Sequence, residues 1–90
     1  MRTVIKGGLV CLPSDPTHLD IAGENGVITE IAENLDVGDD FLIDACGMVV
    51  VPGGIDPHTH MDLQQSPKYR ACDTFLTGGI AAACGGTTTI

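Results

Sequence analysis

Apolar positions in the first fifty residues come in short runs broken by glycine, proline and acidic residues. Thr3–Ile5 and Leu9–Leu12 read as two strands split by Gly7-Gly8, and Pro13-Ser14-Asp15-Pro16 as a turn. Leu19–Glu24 and Val27–Ile31 flank Asn25-Gly26, the pair that favours a two-residue type I′ hairpin. Ile21, Val27 or Ile28, and Ile31 would form its buried face. Glu33–Asp40 is an acidic loop, Phe41–Ile43 a short strand, and Asp44–Gly47 a turn into Met48–Val51. Residues 1 to about 50 therefore predict a run of short antiparallel strands.

The pattern changes after Val51. Val49 to Asp62 reads V-V-V-P-G-G-I-D-P-H-T-H-M-D: a β-branched run, a Pro-Gly-Gly break, then a segment predicted to be extended. Asp62–Cys72 is polar and reads as a loop. Asp73 is the expected N-cap of a helix. Phe75, Leu76, Gly79, Ile80, Ala83 and Cys84 would make its apolar stripe, with Gly78 and Gly79 allowing close packing on a sheet. Gly85-Gly86 should end the helix, and Thr87–Ile90 is strand-like. Strand, loop, helix and strand make a β-α-β unit with parallel strands. One helix leaves a face and two edges of such a unit uncovered, so the chain reads as the front of a larger protein.

Composition narrows the function classes. The net charge is −8 and nine of the twelve acids precede residue 45, which argues against a nucleic-acid partner. No apolar run approaches the roughly 20 residues of a membrane span. The four cysteines, at 11, 46, 72 and 84, form no C-x-x-C pair and follow no signal peptide, so free thiols in a reducing cytoplasm are expected. Cys11, Cys46 and Cys84 sit in apolar contexts that suit small core residues. Aromatic content of 3% leaves Val, Ile, Leu and Ala to build the core.

The chemistry concentrates at Asp56, His58 and His60. Side chains two apart on an extended segment share a face, so the imidazoles would lie side by side with Asp56 one step behind. Two neutral imidazoles on one face can share a transition-metal ion, zinc above all. In a parallel α/β protein the loops after strand C-termini build the active site, and this pair sits there. His18 reads as an exposed loop residue, Lys68 and Arg70 as exposed charges. Asp62 is open between a solvated loop acid and a residue near the site. No dinucleotide-binding or P-loop pattern is present.

V-V-P-G-G-I-D-P-H-T-H-M-D resembles the first barrel strand of the amidohydrolase superfamily. D-P-H-T-H-M-D with C-D-T-F-L-T-G-G-I-A-A-A-C-G-G-T-T-T-I is most similar to its hydantoinase and dihydropyrimidinase branch. The resemblance implies an α/β fold: N-terminal β-sandwich strands over residues 1–50, then over 51–90 the first β-α-β unit of an incomplete (β/α)8 TIM-type barrel. It implies that His58 and His60 are metal ligands, that Leu63 belongs to a loop covering the substrate pocket, and that Asp56 only supports the ligands from behind or holds the local structure. No residue of the chain is expected to act directly as acid, base or nucleophile. The implied cofactor is zinc, two ions in a full-length parent, where a carboxylated lysine, two more histidines and an aspartate from later strands complete the site. The implied reaction is metal-dependent hydrolysis of a cyclic amide or ureide C–N bond, opening a hydantoin or dihydropyrimidine ring to an N-carbamoyl amino acid.

The small cyclic amide is the expected partner, a homotetramer the implied assembly of the parent, and the 90-residue chain alone is expected to be inactive. Two departures stand out, the first bearing on a helix-surface contact and the second on substrate choice. Gly79-Ile80 stands where the branch often has Thr-Arg, and Gln64–Tyr69 replaces a Met-Pro-rich loop. An allantoinase or dihydroorotase type of cyclic amidase, and a non-catalytic, assembly-forming dihydropyrimidinase-like protein, are the alternatives. The last of these tends to lose metal-ligand histidines, and both are present here.

Overall fold

The computed structural model describes residues 1–90 and divides into two compact units, Met1–Pro52 and Gly53–Ile90. The chain is mixed α/β, mostly strands with one helix. No helix is long and apolar enough to cross a membrane.

The first unit is one five-stranded sheet of β1 (Thr3–Val10), β2 (Thr17–Glu24), β3 (Val27–Ala32), β4 (Phe41–Asp44) and β5 (Val49–Val50). The order is β3-β2-β1-β4, with β5 also on β1. The β2–β3 hairpin turns at Asn25-Gly26 with φ of +52° and +77°, both positive as a type I′ turn requires. Gly7-Gly8 does not split the first strand. Between the pairs Ile5–Ile21 and Gly8–Leu19, Lys6 and Gly7 stand opposite Asp20 alone, which is a β-bulge. Gly7 takes φ +79°, readily reached without a Cβ.

The antiparallel reading holds for β1, β2 and β3 and fails for β4 and β5, which both run parallel to β1. The reason is the connection through residues 33–40. It carries the chain from β3, past β2 and β1, and lays β4 down in the direction of β1. On the way Leu35 packs on Val4 and Ala22, with Ala32 and Val37 beside them, and these residues form the buried cluster. Ile21 is buried as expected, but Val27, Ile28 and Ile31 are exposed. They lie on an edge strand whose only partner is β2. Cys46 and Cys84 are exposed rather than core residues, and Cys11 is half-buried; all four thiols are free.

One buried polar residue escaped the sequence reading. Asp20 is 4% exposed. Its Oδ2 accepts from Lys6 Nζ at 2.6 Å and Leu35 N at 2.9 Å, and its Oδ1 from Gly7 N at 2.9 Å. Lys6 Nζ also donates to Asn34 Oδ1 and to the Leu35 carbonyl. The Lys6 hydrogen bond, then those from Leu35 and Gly7, hold the Asp20 carboxyl down at about 2 against the opposing effect of burial.

The second unit is a β-α-β unit, as its pattern predicts. β6 (Gly54–Ile55) and β7 (Thr87–Thr89) pair in parallel, and α1 (Phe75–Cys84) lies between them in sequence. Close packing excludes a side chain at Gly53. A Cβ there would overlap Thr88, whose own Cβ would be 2.7 Å away. Gly53→Ala is expected to destabilise this unit by about 1–3 kcal/mol, read as faster amide exchange in β6 and β7 with β1–β3 unaffected.

The helix N-cap is Thr74, not Asp73. Thr74 Oγ1 accepts from Thr77 N at 3.1 Å while Thr77 Oγ1 accepts from Thr74 N at 2.9 Å, a reciprocal capping box. Asp73 instead accepts from the Thr77 hydroxyl. Thr74→Ala should cost about 1 kcal/mol of helix stability, measurable as lost helical circular dichroism. The expected stripe is not what packs. Phe75 and Leu76 are 70% and 72% exposed, and Ile80 is exposed too. Gly79 meets nothing, whereas a Cβ on Gly78 would run into the Met61 thioether. The close approach is therefore one residue earlier on the helix, and to a loop residue rather than a strand.

Candidate metal centre

Strand β6 ends at Ile55, so the histidine pair lies just beyond the strand rather than on it. Two interactions shape the exit. Asp56 N donates to the Thr89 carbonyl at 2.8 Å, extending the pairing with β7. The Asp56 carboxylate then accepts from His58 N at 3.1 Å, closing a side-chain turn around Pro57. Asp56 thus holds the backbone of His58 and does not stand beside the imidazoles.

The rings of His58 and His60 stack with centroids 5.0 Å apart and planes 20° off parallel. Their Nε2 atoms are 2.9 Å apart, and both residues are exposed. Two nitrogens this close need either one shared proton or one cation facing both lone pairs. Zinc bound about 2.0–2.1 Å from each of two nitrogens in a tetrahedral arrangement wants them roughly 3.3 Å apart, so a few tenths of an ångström of opening admits it. The donor type also fits, since neutral imidazole is a preferred zinc ligand. No third His, Cys, Asp or Glu gathers with the pair. Asp56 is committed to His58 N and Asp62 to partners described next.

A shallow hollow of about 220 Å³ opens beside the pair, lined by Thr59, His60, Met61, Leu63 and Phe75. Leu63 and His60 thus line the same hollow. Met61 and Phe75 were not foreseen as lining residues: Met61 looked like the next step of the strand, and Phe75 like part of a buried helical stripe. The loop after the pair folds back on itself. Gln64 and Arg70 form an antiparallel bridge, and Ala71 N donates to the Leu63 carbonyl at 2.8 Å. Arg70 is not a free charge, because its Nη2 lies 3.3 Å from Asp62 Oδ1. Asp62 Oδ2 accepts from Phe75 N at 3.2 Å, so the carboxylate is tied to the first turn of α1.

No protein-family model matches the chain. It is 48% identical over 94 residues to a D-hydantoinase from Streptomyces coelicolor, covering 99% of this chain and 20% of that protein. It is 44% identical over 90 residues to a D-hydantoinase from Geobacillus stearothermophilus, covering 100% and 19%. A D-phenylhydantoinase from Escherichia coli is 42% identical over 91 residues, covering 100% and 20%. Among solved structures, the dihydropyrimidinase from Brevibacillus agri NCHU1002 superposes with a TM-score of 0.86 at 40% identity, over 98% of this chain and 19% of that one. A D-hydantoinase (dihydropyrimidinase) from Thermus sp. gives 0.86 at 40% identity, over 96% and 19%. The chain spans about one fifth of the length of the relatives it matches. Along nearly its whole length, then, the chain is similar in sequence and backbone to about one fifth of the length of proteins named D-hydantoinase and dihydropyrimidinase.

Proposed function

We propose that, in a protein of its relatives' length, this chain contributes to the metal-dependent hydrolysis of a cyclic amide or ureide C–N bond. A hydantoin or dihydropyrimidine ring gains water across that bond. The carbonyl carbon takes the hydroxyl, the ring nitrogen takes the proton, and an N-carbamoyl amino acid results. The observation that carries this reading is the 2.9 Å approach of the His58 and His60 Nε2 atoms, with His60 lining a hollow it shares with Leu63. The relatives' names favour hydantoin and dihydropyrimidine rings over allantoin or dihydroorotate.

In this reading His58 and His60 hold one zinc of a two-zinc centre. A bound zinc polarises a carbonyl and lowers the pKa of water. Asp56 fixes the backbone at His58, and Leu63, Met61 and Phe75 give the ring an apolar surface. Residues 1–50 belong to a β-sandwich domain and 51–90 to the start of a TIM-type barrel. The parent would be a cytoplasmic homotetramer, in keeping with four unpaired thiols. The isolated chain supplies two ligands where catalytic zinc usually has three from protein, so it would be inactive alone.

The test is a chimera in which this chain replaces the matched segment of the Geobacillus stearothermophilus D-hydantoinase. Ring opening of hydantoin or dihydrouracil, followed by ultraviolet absorbance, should survive the exchange and be lost with His58→Ala. A folded, zinc-loaded chimera without activity would overturn the reading. Ring opening by the isolated chain would overturn its expected inactivity.

A further inference from the structure

Asp62 occupies the position between the histidine pair and Leu63, and three separate segments meet on it. Its φ of +53° is uncommon for a residue with a side chain. Its N–H donates to the Asp73 carbonyl at 2.8 Å, closing the neck of the loop. Its two carboxylate oxygens go to different elements: Oδ1 to Arg70 Nη2 at 3.3 Å on the returning limb, Oδ2 to Phe75 N at 3.2 Å at the first turn of α1. That amide is one of those a helix leaves open at its start, where the helix dipole favours a carboxylate. Leu63 and Phe75 both line the hollow, one from the loop and one from the helix. Asp62 is covalently next to the first and hydrogen-bonded to the second.

We propose that Asp62 is a positioning residue, a latch whose carboxylate holds Leu63 in place beside His60 and Phe75. The assignment of Leu63 to the substrate side rests on the function proposed above; the latch itself does not.

The experiment uses the 90-residue chain with Asp62→Asn, Arg70→Gln and the double variant. Arg70 is well exposed, so its replacement leaves folding intact even if Asp62→Asn does not. Three readouts follow the loop. The Leu63 methyl resonances report ring currents from Phe75 and His60. Tryptic cleavage after Lys68 reports opening. Fluorescence anisotropy reports Tyr69, the single tyrosine in a chain without tryptophan. Each single variant is expected to speed cleavage about threefold, the double no further, because exposed ion pairs are weak and the two changes cut the same link. Leu63 resonances should move toward unstructured values and Tyr69 anisotropy should fall, with β1–β3 amides unchanged. Arg70→Lys, which keeps the cation, should restore the wild-type Leu63 shifts. Unchanged Leu63 resonances in both single variants, or additive effects on cleavage, would overturn the latch. Zinc titration of the unmodified chain is read separately, so a failed metal site and a failed latch are told apart.

Discussion

Replacing either His58 or His60 by alanine is expected to weaken zinc binding by more than about a hundredfold, measured by competition with a chromophoric chelator. Loss of an outer-shell partner already costs 10–100-fold in metal affinity, and here a ligand itself is removed. Both imidazoles are exposed and their Nε2 atoms sit 2.9 Å apart, so neither change disturbs a packed core. His18, expected in a loop, is an exposed residue of β2, and His18→Ala should leave zinc binding unchanged, since the Nε2 atoms of the pair face each other without it. Equal weakening by all three substitutions would mean scattered surface binding and no centre at the pair.

Asp20→Ala is expected to cost about 2–4 kcal/mol, chiefly for leaving buried hydrogen-bonding groups without their acceptor. That is a large part of the roughly 5–15 kcal/mol that holds a domain together, and it should appear as a much lower urea midpoint. The loss has three sources: Lys6 keeps its charge without the carboxylate, and the amides of Gly7 and Leu35 lose their acceptor. The same group makes the fold acid-sensitive. The Asp20 carboxyl is depressed from 3.8 in the unfolded chain to about 2 in the fold, so the unfolded state takes up the proton first. Its contribution, about 2 kcal/mol, is complete well above pH 4, falls as pH drops through that interval and is gone below about pH 2. Denaturant midpoints measured from pH 6 to pH 2 should show this fall, and Asp20→Asn should flatten it.

What the sequence revealed follows from how local the signals are. Asn25-Gly26 forms its turn through its own backbone preferences. The β-α-β order shows in the switch from β-branched runs to helical spacing and back. His58, His60 and Leu63 are neighbours in sequence, so the pairing of the two rings and the meeting of His60 and Leu63 at one hollow need no distant partner. Other features depend on residues far along the chain. Gly7 looks like a strand break until Asp20, thirteen residues on, takes its amide. Asp20 itself looks like a polar step in an alternating strand, because nothing near it announces Lys6 or Leu35. The direction of β4 depends on where the 33–40 connection crosses the sheet. Asp73 and Thr74 are both competent caps, and only the reciprocal bond with Thr77 decides between them. Met61 is assigned to the hollow by the absence of a side chain at Gly78, a contact across seventeen residues of sequence.

The bulge in β1 also bears on strand register. Asp20 has to reach Lys6 and the amide at Gly7 together, so only one alignment of β2 on β1 satisfies it. A slip of one residue would turn its carboxylate to the opposite face and put an apolar neighbour in its place. Its hydrogen bonds to Lys6, Gly7 and Leu35 would then be lost, so Gly7 and Asp20 together mark the register of β2 on β1.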